Sequence, residues 1–248
     1  GEIWGVWAAE PPFAVLTATE GEAGWSLSGS KAFCSGARLV THALVTAEAP
    51  DGPRLFAIDL AGDGIREGAG PAWTGAGMRR SGTRTLDLVD VSAEPVGGPG
   101  DYVDRPGFWM GAIGVAACWW GGARGVAAAL EQRSSRLDAH GLAHLGAVRS
   151  ALDVVGLALE AAAARLDRGE EQSSERLALS LRAHVADAAS ITVSRVGRAL
   201  GPAPLAFDAR HAEQVVDLEV FVRQHHAERD LERLGTLSVP GEHEVDDA

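Results

Sequence analysis

Hydrophobic residues in the first hundred positions fall in short runs: Ile3–Trp7, Ala14–Ala18, Trp25–Leu27, Ala43–Ala47, Leu55–Leu60 and Leu86–Val91. Turn signals separate them, among them Pro11-Pro12, Glu20-Gly21, Asp51-Gly52-Pro53 and Asp63-Gly64. Runs of this length between glycine and proline turns read as strands of an antiparallel sandwich or barrel. The stretch Pro95-Val96-Gly97-Gly98-Pro99-Gly100 closes that half, and beyond Pro106 the period changes. Alanine, leucine and arginine dominate there, and Leu177, Leu181, Val185, Ala188 and Ala189 recur at helical spacing. Helices are expected over about 107–134, 138–168, 174–200 and 208–234, with Asp167-Arg168-Gly169 and Gly201-Pro202 as stops. Short connections between four helices predict an antiparallel four-helix bundle. The expected class is thus α+β: an antiparallel β-barrel or sandwich domain over 1–100, a bundle over 106–235, and a disordered acidic tail over 236–248.

Composition narrows the function more than the fold. Hydrophobic residues make up 46% and charged residues 23% of the 248 positions, the balance of a globular protein. A net charge of −12 repels phosphates, so no nucleic-acid partner is expected. Cys34 and Cys118 lie in different halves and read as free thiols of a cytoplasmic protein. The apolar stretch Phe108–Leu130 contains Arg124 and five glycines, at 111, 114, 121, 122 and 125, and reads as a tightly packed helix rather than a membrane span. Trp109, Trp119 and Trp120 add bulk to its packing. No metal site is expected, because His140 and His144 have Gly141 between them and no further ligand motif, and His225, His226 and Glu228 do not share one helical face.

The stretch with most chemical character is Ser28-Gly29-Ser30-Lys31-Ala32-Phe33-Cys34-Ser35-Gly36-Ala37. It holds the only lysine of the chain, and it places an aromatic, a thiol and a hydroxyl at consecutive positions of a strand end, where they can line a flat ligand. Its surroundings carry a resemblance. Trp7-Ala8-Ala9-Glu10-Pro11 resembles the Leu-Thr-Glu-Pro strand of the acyl-CoA dehydrogenase family, and Gly24 to Lys31 resembles its G-x-x-L-x-G-x-K segment. Phe33-Cys34-Ser35 falls where the family has Trp-Ile-Thr, and Gly77-Met78-Arg79-Arg80-Ser81-Gly82-Thr83 resembles its M-G-x-R-x-S-x-T.

This resemblance covers nearly the whole chain and implies the family's second and third domains, without its N-terminal helical domain. It implies FAD as cofactor and removal of hydrogen from an acyl thioester, carried by CoA or an acyl carrier protein, with hydride passing to the flavin. Carried over, Phe33 packs on the flavin ring, Ser35 donates a hydrogen bond to its edge, and Cys34 contributes backbone contacts. Ala9 stands where a flavin-binding threonine is usual, and the Arg-x-x-Phe-Gly segment for a neighbouring subunit's flavin is not recognisable. Gly197-Arg198-Ala199-Leu200-Gly201 resembles the Gly-Gly-x-Gly element that receives the neighbour's FAD, which implies a homo- or hetero-oligomer.

The family's base is usually a glutamate eight residues past an Arg-Asp pair. Here the pair reads Val216-Asp217, and eight residues on stands His225, followed by His226 and Glu228. A histidine can take a proton near neutral pH, with Glu228 orienting it or serving as base. Two other outcomes of the same resemblance are a relative of flavin monooxygenases that lack the glutamate, and a non-catalytic subunit of a hetero-oligomeric flavoenzyme.

Overall fold

The computed structural model describes residues 1–169 and 174–239, so residues 240–248 of the tail expected over 236–248 lie outside the described residues. The chain divides into two compact units, Gly1–Arg105 and Pro106 onward.

In the first unit the described strands are β1 (Trp4–Trp7), β2 (Leu16–Gly21), β3 (Gly24–Cys34), β4 (His42–Ala49), β5 (Gly52–Asp59), β6 (Ile65–Glu67) and β7 (Arg84–Val96). A short helix, α1 (Asp101–Asp104), follows them. β3 runs antiparallel to β2 and β7, and β5 antiparallel to β4 and β7. β4 in turn pairs with β2, so the sheet closes into a barrel. Both β1 and β2 run parallel to β4. The barrel is therefore mixed, which corrects the antiparallel expectation: parallel neighbours are joined by long connections and leave no hairpin signal in the chain. Alternate residues of each strand point inward, and Leu27, Val45, Ala43 and Phe56 fill the interior together with Trp7 and Ile58.

β3 is one long strand that carries Ser28-Gly29-Ser30 in its interior. Gly29 lies in its interior with φ 126°, and a Cβ there would stand 2.3 Å from the Val15 carbonyl. The glycine lets β2 approach at a bulge that re-aims the rest of the strand.

The second unit contains α2 (Phe108–Glu131), α3 (Ala139–Asp167), α4 (Ser174–Leu200), α5 (Ala203–Phe207), α6 (Ala209–Phe221) and α7 (Glu228–Thr236). α2 packs on α3, α4 and α6, and α7 on α4. Its core centres on Trp119, Leu130, Val126, Val148, Val185 and Val196. The helix expected over 208–234 is interrupted. A 3-10 turn over Val222–Gln224 ends it, His225 is extended, and Ala227 has φ 48° before α7 begins. Helix thus continues to Thr236, into the region expected to be tail. α7 is tied to α4 by a bidentate pair in which Arg233 donates to Glu175 at 2.7 and 3.1 Å.

Of the α2 glycines, Gly122 and Gly125 face α6, where a Cβ would meet Leu218 at 3.1 Å and Gln214 at 3.3 Å. Gly111, Gly114 and Gly121 have nothing within 4 Å. α2 and α3 are each long and apolar enough to cross a membrane by length and composition. In α2 seven residues, from Ile113 to Leu130, are buried, while α3 leaves Leu142, Val154 and Leu157 exposed.

Candidate functional site

At the end of β3 a backbone irregularity sorts three consecutive side chains. Pairing with β7 shifts register between Lys31 and Cys34, and Phe33 has φ 58°, a left-handed conformation that costs an L residue about 1–2 kcal/mol. The bulge turns Phe33 outward, 45% exposed, while Ala32 and Cys34 stay in the core. Phe13, also exposed, meets the Phe33 ring edge-on with centroids 6.2 Å apart.

Ser35 follows in a tight turn closed by its own N–H donating to Phe33 O at 2.8 Å. The turn is tied down on two sides. Trp7 Nε1 donates to Ser35 O at 3.0 Å, and Gly36 N donates to Ser81 O at 2.8 Å. The exposed Ser35 side chain places Oγ 2.9 Å from Thr83 Oγ1, which lies 2.7 Å from Ser81 Oγ. Ser81 Oγ in turn donates to Met78 O at 2.6 Å. The result is a flat apolar face beside a hydroxyl whose position is set from below. Ala9 lies exposed in the loop after β1, past Trp7.

Beneath this turn are two buried reactive groups. Cys34 is fully buried, its Sγ 3.2 Å from Lys31 O. Burial pushes its thiol up to about 12 against the opposing charge of Lys31, so it is neither thiolate nor nucleophile at neutral pH. Lys31 donates through Nζ to Thr46 O at 2.7 Å and to Thr46 Oγ1 at 2.8 Å. Burial lowers its pKa, against the raising influence of Glu10, Cys34 and Glu48.

In the second unit the predicted histidines part company. The His225 side chain is 9% exposed and His226 is on the surface. Asp230, one turn into α7, draws both towards it: Oδ2 is 3.6 Å from His225 Nε2, and Oδ1 is 3.3 Å from His226 Nδ1. The His226 N–H also donates to Asp230 Oδ2 at 3.2 Å. Arg182 of α4 completes the cluster, with Nε 3.9 Å from Asp230 Oδ2, Nη2 donating to Gln224 O at 2.9 Å, and its guanidinium 4.6 Å above the Trp119 ring. His225 packs edge-on against the same Trp119. Burial lowers the His225 pKa; Asp230 opposes this, and Arg182 and His226 add to it. The imidazole is therefore neutral at neutral pH. Glu228 is exposed at the start of α7, and the carboxylate that faces His225 is Asp230. The break at Ala227 separates Glu228 from the turn that carries His225.

Gly197 lies in the last turn of α4, and Gly201 ends the helix with φ 66°, its N–H donating to Gly197 O at 2.9 Å. This is an ordinary left-handed helix stop. A groove of about 510 Å³ opens beside it, its lining including Arg133, Arg136, Leu200, Pro204, Phe207 and Asp208. The two guanidinium groups share it with the Asp208 carboxylate and a Phe207 ring that is 89% exposed, and Arg133 Nη1 donates to Ala129 O at 2.6 Å. Among the described residues no group of three or more His, Cys, Asp or Glu side chains is arranged to hold a metal ion.

No protein-family model matches the chain, and no curated protein matches it significantly. Solved structures do. A protein assigned as an acyl-CoA dehydrogenase from Mycobacterium smegmatis superposes with a TM-score of 0.81 at 16% identity, with 95% of this chain aligned to 68% of that one. FMN-bound TdsC from Paenibacillus sp. A11-2 gives 0.79 at 19% identity over 95% of this chain and 70% of its own. The methanesulfinate monooxygenase MsuC from Pseudomonas fluorescens gives 0.79 at 20% identity over 97% and 71%. The chain has the acyl-CoA dehydrogenase fold.

The chain spans about two thirds of the length of these solved structures, and sequence reasoning singled out Phe33, Ser35 and His225. It missed Trp7 and Thr83 as supports of the turn, Asp230 and Arg182 as partners of His225, and Arg133 with Arg136 beside the α4 stop. Only the last pair carried a signal, two arginines three residues apart at the end of a helix.

Proposed function

We propose that the protein is a flavin-dependent oxidoreductase whose ring-binding element is the Phe33–Ser35 turn. The observation that carries this reading is the bulge that holds Phe33 outward, at the cost of a left-handed backbone, beside the Ser35 hydroxyl. A flat ring system with a polar edge needs an apolar face and a hydrogen-bonding group at its rim, and the turn supplies both. Likeness to FMN-bound TdsC and to MsuC supports it.

A bound flavin supplies the hydride acceptor; the chain supplies placement. Phe33 packs on the ring with Phe13 behind it, Ser35 meets the ring edge, and Cys34 contributes backbone. The substrate in this reading is an acyl thioester on CoA or an acyl carrier protein, oxidised next to its carbonyl. His225, neutral and with Nε2 facing Asp230 at 3.6 Å, receives the proton. Assembly of several copies belongs to the same reading, since Val154 and Leu157 leave apolar surface on α3.

One observation favours a second reading, a monooxygenase-like relative. His225 is enclosed by Trp119, Arg182 and Asp230, which suits a structural role better than proton abstraction. Visible absorbance after gel filtration with added FAD or FMN tests the common element: retained flavin bands, lost in Phe33→Ala, support it. A protein colourless under both conditions would instead be a non-catalytic partner of another flavoprotein. Anaerobic bleaching by acyl-CoA separates dehydrogenation from oxygen-dependent chemistry.

A further inference from the structure

The hydroxyls of Ser35, Thr83 and Ser81 carry one hydrogen each. A carbonyl oxygen only accepts, so at 2.6 Å from Met78 O the hydrogen between them is that of Ser81. Ser81 Oγ, 2.7 Å from Thr83 Oγ1, must then accept from Thr83. Thr83 has no second hydrogen, so at 2.9 Å it must accept from Ser35. Every hydrogen of the relay points inward, and Ser35 Oγ has only lone pairs left for anything outside. The far end is held by the backbone: Ser81 N donates to Met78 O at 3.1 Å, and Ser81 O accepts from Gly36 N. Thr83 is buried, 9% exposed, which keeps bulk water from reversing the chain midway.

We propose that this relay fixes Ser35 as a hydrogen-bond acceptor and makes the site prefer reduced flavin, whose ring N5 carries a hydrogen, over oxidised flavin, whose N5 carries a lone pair. The inference rests on the flavin reading above, and it reverses the donor role expected for Ser35 from the resemblance. Thr83 and Ser81 are positioning residues: they touch no ligand and act by setting where the Ser35 hydrogen lies. Oxidised flavin opposite Ser35 faces lone pair against lone pair, and reduced flavin completes a fourth hydrogen bond in one continuous direction.

The test measures affinities of the purified protein for oxidised and dithionite-reduced FAD and FMN, in the wild type, Thr83→Val, Thr83→Ser and Ser81→Ala. The wild type should bind the reduced form more tightly. Thr83→Val keeps the shape, removes the acceptor and turns the Ser35 hydrogen outward. The reduced-to-oxidised preference should then fall about ten-fold, equivalent to about 30 mV for a two-electron couple. Thr83→Ser should retain the wild-type ratio. Ser81→Ala, at the inner end of the relay, should lower the ratio in the same direction and serves if the valine variant folds poorly. Flavin bound with an unmoved ratio in both disrupting variants overturns the relay and leaves the flavin site standing. Failure of the wild type to bind either form overturns the flavin reading and the relay with it. A general loss of packing would weaken both affinities together and leave their ratio alone.

Discussion

Phe33 and Cys34 are neighbours in the chain and opposites in exposure, and that division rests on one backbone angle. With φ 58° at Phe33, the aromatic is held outside by the bulge, with the edge of the exposed Phe13 as its ring contact. Phe33→Gly should therefore leave the barrel as stable or up to about 1 kcal/mol more stable, since glycine adopts this conformation without a steric penalty, while flavin retention falls. Urea midpoints and gel-filtration absorbance check the two halves of that expectation separately. The aromatic, thiol and hydroxyl triplet was legible in the sequence because its members are consecutive. The supports were not: Thr83 lies 48 residues from Ser35, and Trp7 lies 28. The direction of a hydroxyl relay has no trace in residue order at all, because it follows from a carbonyl that only the folded chain brings into range.

At the scale of elements, the break between α6 and α7 decides the histidine site. No glycine or proline marks it, only Ala227 in an unusual conformation, so a helical pattern read through 208–234 runs over it. The break lets Asp230 fold back to meet His225 and His226, and lets α4 contribute Arg182. Asp230→Ala leaves a half-buried guanidinium without its counter-charge and should cost about 3 kcal/mol, read as a loss of thermal stability at 222 nm. The pH dependence has a definite sign. The folded pKa of His225 lies below that of free imidazole, chiefly through burial and despite Asp230 and Asp187. The folded state therefore binds fewer protons than the unfolded chain. The stability His225 contributes is present above about pH 6.5 and is lost as pH falls through the folded value. His225→Gln should flatten the melting temperature between about pH 7 and 5, whereas an unchanged slope would assign the acid sensitivity to other groups.

For the whole molecule, alternation and period were enough to separate strand-rich from helix-rich chain, because both signals are local. Barrel closure was not legible, since β1 and β2 reach β4 through parallel pairings, and three-residue β6 is too short to show a period. The two hydrophobic cores share no residue. Urea unfolding followed by separate probes should accordingly show two transitions, with Phe56→Ala lowering one and Trp119→Ala the other, each by about 3–5 kcal/mol.

The barrel core also encloses the chain's only lysine, with its ammonium engaged by Thr46. Every other cationic side chain is arginine or histidine, so side-chain amine chemistry has a single address. Acylating reagents should modify Lys31 only when the barrel opens, at a rate set by the opening equilibrium. One mass shift on one tryptic peptide then becomes a clock for that event. Ligands that grip the turn two residues beyond Lys31 should slow the clock, whatever their colour or chemistry.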